Sequence, residues 1–412
     1  MKRAQLRVRF PVILTALLAV AVAPAQAASA LPLPVKQFSS AGQRKAVADY
    51  VAQYEAYRKA RARHEKAAES YWSLVTSKRT ERRRRMAQGK PARLSDYVLK
   101  QPPVYTGPER PQRPAFLPPP VKRKKNRRPG FKLPVVKDFL RHAKTRYGFV
   151  PERPDREIDY KRAYARTALS AGISKDQAVR IYGFEASGNG LYDVQAGLES
   201  GGKGGRPIST ALGYNQLLVA NTIGLVSKYG GEFIEILKDR ADKAEGERRS
   251  NLKRKIAGLR KMIRYARSMP YEWSRHVRAS SSSRGRGLHA LILDVDIGPL
   301  LQTQKLLNSI RYAKKRGYDK KLTAAELEML NLTGDGNGFD MIAMPQSMRE
   351  KVPTSNFFQR GGYERNPVAS RNNTVAALLV ATDRKMDYHA ALDGGKQMSA
   401  AFDEVLNKAR VQ

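Results

Sequence analysis

Glycine and proline do most to limit where a chain can stay helical, and in this sequence they are gathered into a few places. From Gln43 to Arg85 there is neither, while Val47, Tyr50, Tyr54 and Tyr57 recur at helical spacing among polar residues. That predicts one long helix, or two, over residues 41–85, with an aromatic packing stripe. Ten of the 23 prolines then fall between Gln101 and Pro134. Such a composition builds neither helix nor central strand and predicts an extended linker. It is either free or wrapped over the domain after it, with Tyr105, Phe116 and Phe131 as anchors. Beyond Pro154 the pattern is helical, broken by glycine at 186–206, 283–287, 333–338 and 360–362, and residues 230–268 predict a helical hairpin. No internal repeat and no series of strands is evident. The expected fold class is mainly α: a basic helical region at 31–100, a Pro-rich basic linker at 101–134, and a helical domain at 135–412.

Residues 1–30 have the order of a secretion signal. Lys2, Arg3, Arg7 and Arg9 precede an apolar run from Val12 to Ala23, followed by Ala25-Gln26-Ala27 and Ala28-Ser29-Ala30. The run falls short of the roughly 20 apolar residues a membrane span needs. Cleavage is expected after Ala27 or Ala30, the alternative being an uncut anchor, and no later stretch is apolar enough to span. The expected location is therefore exported, periplasmic or associated with the cell envelope. With no cysteine in the chain, a disulfide framework, a thiol nucleophile and lipid attachment at an N-terminal cysteine are all excluded.

A net charge of +40 draws anionic polymers over long range. Residues 31–150 carry +22 of it, including the run Arg82 to Arg85 and the basic block at 122–128. For an exported chain the polyanions at hand are peptidoglycan carboxylates, acidic lipid headgroups and anionic surface polysaccharide. Nucleic acid is not an expected partner. A generally basic proteome would give the same charge without any partner.

Ser174-Lys-Asp-Gln177 is a capping box, so a helix is expected to begin near Lys175. Ala178, Ile181, Tyr182 and Glu185 then share one face, and the helix must end at Ser187-Gly188-Asn189-Gly190. A carboxyl on an apolar face loses hydration, and at a helix C-terminus it meets the negative end of the dipole. Both effects raise its pKa, which suits an acid that protonates a glycosidic oxygen near neutral pH. A paired structural carboxylate would be placed the same way.

Downstream lies Ile208-Ser-Thr-Ala-Leu-Gly-Tyr-Asn-Gln-Leu217. Together with Glu185-Ala-Ser187 it resembles the core pattern of lytic transglycosylases and related lysozyme-like muramidases: a helix ending in Glu-Ser or Glu-x-Gly, a loop, then Ser/Thr-x-Ala-x-Gly-x-x-Gln and a second helix. The resemblance covers about 50 of the 412 residues. The loop of more than 20 residues before Ser209 is longer than the commonest arrangement, although Tyr192-Asp193 and Gly197 are similar to phage-type relatives. The resemblance implies a lysozyme-like helical domain. It makes Glu185 the catalytic acid/base, lets Gly213 admit the sugar closely and lets Gln216 line the cleft. Ser209, Tyr214 and Asn215 become substrate contacts. The implied reaction is cleavage of the MurNAc–GlcNAc β-1,4 bond of peptidoglycan glycan strands by one glutamic acid, with no cofactor and no metal.

Hydrolysis needs a second carboxylate, roughly 5–5.5 or 6.5–9.5 Å from the first. Asp193 and Glu199 are the nearby candidates, both among polar residues and both expected to be solvated. Other readings remain open: a hydrolytic muramidase, a silent wall-binding protein, or an exported polyanion binder working through its charge blocks. Phe357-Phe358-Gln-Arg-Gly-Gly-Tyr363 offers either loop packing or an aromatic cleft wall, with Tyr363 the residue to contact sugar. Thr333-Gly-Asp-Gly-Asn-Gly338 lacks the oxygen ligands of a calcium loop beyond its third position and predicts a glycine turn. His289, in the apolar stretch from Leu288, is expected to be a satisfied structural residue, with Asp294 and Asp296 capping the helix near Pro299.

Overall fold

The structure is a computed structural model, and it describes residues 40–117, 132–198 and 204–411. The signal sequence, the triple proline, the basic block at 122–128, Phe131 and Glu199 lie outside the described residues. Within them the chain is mainly α-helical and has no sheet, only isolated bridges. No described helix is long and apolar enough to cross a membrane.

The described residues fall into two units, one within 133–163 and 191–302, the other within 40–132, 164–190 and 303–411. The basic N-terminal region and the described part of its linker share a unit with the C-terminal third of the chain.

In the first unit, α2 (Val136–Tyr147), the start of α3 (Glu157–Ser170), α5 (Val219–Asp242), α6 (Gly246–Arg267), α7 (Trp273–Ser280) and α8 (Ser283–His289) enclose one core. Helices α5 and α6 pack along each other across a short turn, burying Val226, Phe233 and Leu237 with Leu252, Leu259 and Met262. Helix α8 packs on α2 so closely that a side chain at Gly287 would strike the His142 backbone at 2.7 Å. His289 is fully buried, faces the Thr222 hydroxyl at 2.8 Å, and donates from Nε2 to the Thr210 carbonyl at 2.9 Å. Burial drives its pKa down to about 4, so it is a neutral, satisfied core residue.

One charge cluster is built into the interior of this unit. Lys255 Nζ, 2% exposed, meets Asp296 at 2.5 Å, Glu152 at 2.6 Å and Asp294 at 3.1 Å. Asp294 Oδ1 also accepts the backbone N–H groups of Asp296 and Ile297 just before α9 (Gly298–Lys315).

In the second unit, α1 (Ala41–Ala87) runs for 47 residues, capped by Ser40, whose side chain accepts from Gln43 N–H. At about 1.5 Å per residue it is roughly 70 Å long. Its first turns bury Val47 and Tyr50 against Leu117, with Val51 and Tyr54 packed beside them. Tyr57 meets Tyr105 edge-on at 6.3 Å. The described end of the linker thus lies along α1 itself.

Farther along, Ala68, Trp72, Val75, Arg79 and Arg82 are buried at roughly heptad spacing. The two arginines are held by specific partners. Arg79 donates to the carbonyls of Asn356 and Phe358 at 3.0 and 2.7 Å. Arg82, fully buried, lies 4.3 Å over the Tyr97 ring and 3.5 Å from Asp340. Asn356 clamps Val98 from both sides, accepting its N–H and donating to its carbonyl, each at 2.9 Å.

The remaining helices of this unit include α4 (Lys175–Glu185), α10 (Ala324–Thr333), α11 (Asp335–Ile342), α15 (Val375–Ala390) and α16 (Asp393–Val411), and α4 packs on α10, α15 and α16. Three short helices, α12 (Gln346–Arg349), α13 (Arg360–Glu364) and α14 (Pro367–Arg371), connect α11 to α15. The glycine-rich segment at 333–338 is a turn only at Gly334, which has φ +82°; from Asp335 it is helix.

Candidate functional site

Helix α4 begins where its capping box directs. Gln177 N–H reaches Ser174 Oγ at 3.3 Å, and the Gln177 side chain accepts from Ser174 N–H at 3.1 Å. Ala178, Ile181 and Tyr182 are buried, and the helix stops at Glu185, after which Ser187 and Gly188 adopt positive φ. Glu185 therefore sits on the inner face of the last turn.

What Glu185 meets there is absent from the sequence reading. Thr323-x-x-Glu326 is a second capping box, and it starts α10. Ala324, Leu327, Glu328 and Asn331 then fall on one face, the same i, i+3, i+4, i+7 pattern that carries Glu185 on α4. Asn331 Nδ2 donates to Glu185 Oε1 at 2.6 Å. Glu328 is wholly buried with its carboxyl against that of Glu185, and neither of its oxygens makes an aligned hydrogen bond among the described residues.

The electrostatics follow from this geometry. Burial pushes the Glu185 carboxyl up, while contact with Glu328, the Lys305 and Lys385 charges and the Asn331 amide pull it back. Burial pushes Glu328 higher, and the neighbouring Glu185 charge adds to the rise. Two carboxylates cannot both ionise at contact in a dry site, so the pair keeps at least one proton into the neutral range. Of the two, only the half-buried Glu185 has access to solvent. Lys385 Nζ stands 4.9 Å over the Phe184 ring beside it, so positive charge flanks the pair.

The other expected site residues have different surroundings. Ser209, Gly213, Tyr214, Asn215 and Gln216 belong to the first unit, and Gly213 to Gln216 form a tight turn between the bridged Leu212 and Leu217. Gly213 has φ +80°, and a side chain there would strike Ile292 at 2.8 Å and Gln302 at 2.9 Å. Packing against these two side chains and the positive φ both call for glycine there. Tyr214 is fully buried and donates its hydroxyl to Glu157. Asn215, 1% exposed, is clamped by Gln302 at 3.0 and 3.1 Å. Gln216, itself at φ 43°, donates to the carbonyls of Gly213 and Val194, and Ser209 Oγ accepts from Ala211 N–H at 3.0 Å.

In the second unit the Tyr363 ring is buried between Trp72 and Phe358 at 5.6 and 6.2 Å. It presents no open face for a sugar. Asp193 is held by Arg153 at 2.7 Å. Among the described residues no group of three His, Asp or Glu side chains is placed to hold a metal ion.

No family of known proteins, no curated protein and no solved structure matches the chain.

Proposed function

We propose that this chain is an exported peptidoglycan lytic transglycosylase whose acid/base is Glu185. The observation that carries the reading is the Glu185–Glu328 pair: a carboxyl at a helix end, dried by its surroundings and given a proton-sharing partner. In the proposed step Glu185, whose own carboxyl is raised to about 7, delivers its proton to the glycosidic oxygen between MurNAc and GlcNAc as the bond breaks. As a carboxylate it then takes the proton from the muramic acid 6-hydroxyl, whose oxygen closes the anhydro ring. The proton count returns to its start and no water is consumed. The flanking Lys305 and Lys385 steady Glu185 while it is charged.

The single-acid route is preferred over hydrolysis. A hydrolase needs a second carboxylate standing off at roughly 5 Å or more to act as nucleophile or to activate water. Glu328 is in contact with Glu185 and sealed from solvent, and Asp193 is engaged by Arg153. The Ser209–Gln216 turn enters this reading through its sequence pattern alone.

The test is digestion of purified sacculi followed by mass analysis of the products. Wild type is expected to release 1,6-anhydro sugars, and Glu185→Gln to lose at least about 100-fold of that activity, the usual contribution of a general acid. Equal activity in both proteins would end the enzymatic reading, and reducing-end products would make it a hydrolytic muramidase.

A further inference from the structure

The arginine run at 82–85 is where the sequence places a polyanion-binding surface, and the structure engages that run internally. Arg82 is buried against Tyr97 and Asp340, Arg83 donates to Asn337 at 2.9 Å, Arg84 pairs with Glu81 at 2.8 Å, and Arg85 stands 3.6 Å from Asp96. Among the described residues, a dense array of open charge lies on α6 of the first unit.

The 22 residues of α6 hold nine Lys or Arg against a single acid, Glu247. Two of the nine, Arg248 and Lys255, serve the internal cluster with Asp296 and Glu152. Arg249, Lys253, Arg260, Arg264 and Arg267 are exposed, and at 100° per residue they fall within an arc of about 60°. They form one straight cationic ridge roughly 27 Å long at the helical rise. Arg267 also donates to the Ser227 carbonyl at 3.0 Å. The side chains of the other four make no ion pair or hydrogen bond among the described residues. Exposed cations of this density repel one another. The sole aromatic residue of the helix, Tyr265, is half-buried and turned to Ser282 and Tyr147. The ridge therefore offers charge without a stacking plane, which disfavours single-stranded nucleic acid, since that binds by stacking as well as charge.

We propose that the α6 ridge binds the carboxylate-bearing stem peptides of peptidoglycan and holds the enzyme on its polymeric substrate. The choice of occupant rests on the transglycosylase reading; the ridge itself does not. Recognition is electrostatic and distributed, so it tolerates an irregular mesh and weakens with salt.

The experiment uses full-length Glu185→Gln protein, so that the sacculi survive, and measures co-sedimentation across a salt series. In that background, Arg249, Lys253, Arg260 and Arg264 are each replaced by glutamine. At low salt the apparent Kd is expected to rise by about tenfold or more, as four exposed charge contacts allow, and the salt dependence to flatten. Sacculi with their stem carboxylates converted to neutral amides should bind the unmodified ridge as weakly. With an intact Glu185, the four-fold variant should cleave short soluble glycan strands at the wild-type rate, which also reports a sound fold. Unchanged binding by the variant, indifference to amidation, or a ridge-dependent preference for double-stranded DNA over sacculi would each overturn the proposal. Binding through the ridge without any cleavage of glycan strands would sink the enzyme reading and leave the ridge standing.

Discussion

At the scale of single residues, the molecule's least expected feature is a glutamic acid sealed against another. Glu328 binds its proton more tightly in the folded chain than in the unfolded one, where a glutamate titrates near 4.3. The folded state then holds more protons, so this group's stability is fully present below that value and declines as pH rises toward the raised folded pKa. Glu328→Gln keeps the shape and removes the titration. As pH rises above the unfolded value, wild type should lose stability relative to Glu328→Gln by about 1.4 kcal/mol per unit of pH until the raised folded value is reached, which thermal melts of both proteins along a pH series measure. Parallel melting curves would show that Glu328 is not held protonated. The same variant should act on catalysis in the opposite sense. A glutamine amide donates to Glu185 and stabilises its charged form, so the alkaline limb of the pH–rate profile is expected to move to lower pH.

Glu185 is legible because Ser174-x-x-Gln177 fixes both the start and the phase of its helix. Glu328 has an equally plain capping box at Thr323, and an acid among Leu327, Met329 and Leu330 is a visible anomaly. The pairing is not legible, since the two carboxyls lie on helices far apart in the chain and helical periodicity carries no information between elements. The surroundings of the motif turn at 213–216 are illegible for a different reason. Its sequence pattern suggests substrate contacts, but Tyr214 and Asn215 are engaged by Glu157 and Gln302, partners that no local rule connects to them.

At the scale of elements, α1 separates what a pattern specifies from what packing decides. The absence of glycine and proline makes the helix readable, and the Val47–Tyr57 stripe makes its packing face readable. Four consecutive arginines give no local sign of which one packs inward, yet the first of them is fully buried. Its partner Asp340 lies 258 positions away. Removing the guanidinium would leave the Asp340 carboxyl, 7% exposed, without its counter-charge. Arg82→Ala is therefore expected to destabilise by about 3 kcal/mol or more, the range for breaking a buried pair. Two positions along, Arg84→Ala should cost less than about 1 kcal/mol, because its pair with Glu81 is exposed on both sides. Urea unfolding of the two variants measures both, and equal losses would mean that α1 is not seated as described.

At the scale of the whole molecule, the net charge of +40 sets two effects of salt against each other. Exposed ion pairs such as Arg141–Asp138 and Lys243–Asp239 are worth little and weaken as salt rises. The buried cluster around Lys255 is shielded from ions by its burial and should hardly respond. The surplus cations have no partner to lose, and their mutual repulsion is greatest in the folded chain, where they are closest together. Screening acts within about 10 Å at 0.1 M salt, which spans the spacing of neighbouring charges along α6, so relief of repulsion should outweigh the loss of a few exposed pairs. Raising sodium chloride from about 20 mM to about 300 mM is expected to increase the melting temperature by a few degrees, as a gain near 1 kcal/mol would for a chain of this size. Over the same range affinity for sacculi should fall, because the repulsion being screened in the fold and the attraction being screened at the wall come from the same charges. A melting temperature that falls with added salt would show that the cations are balanced by pairs within the fold, leaving no surplus to hold an anionic polymer.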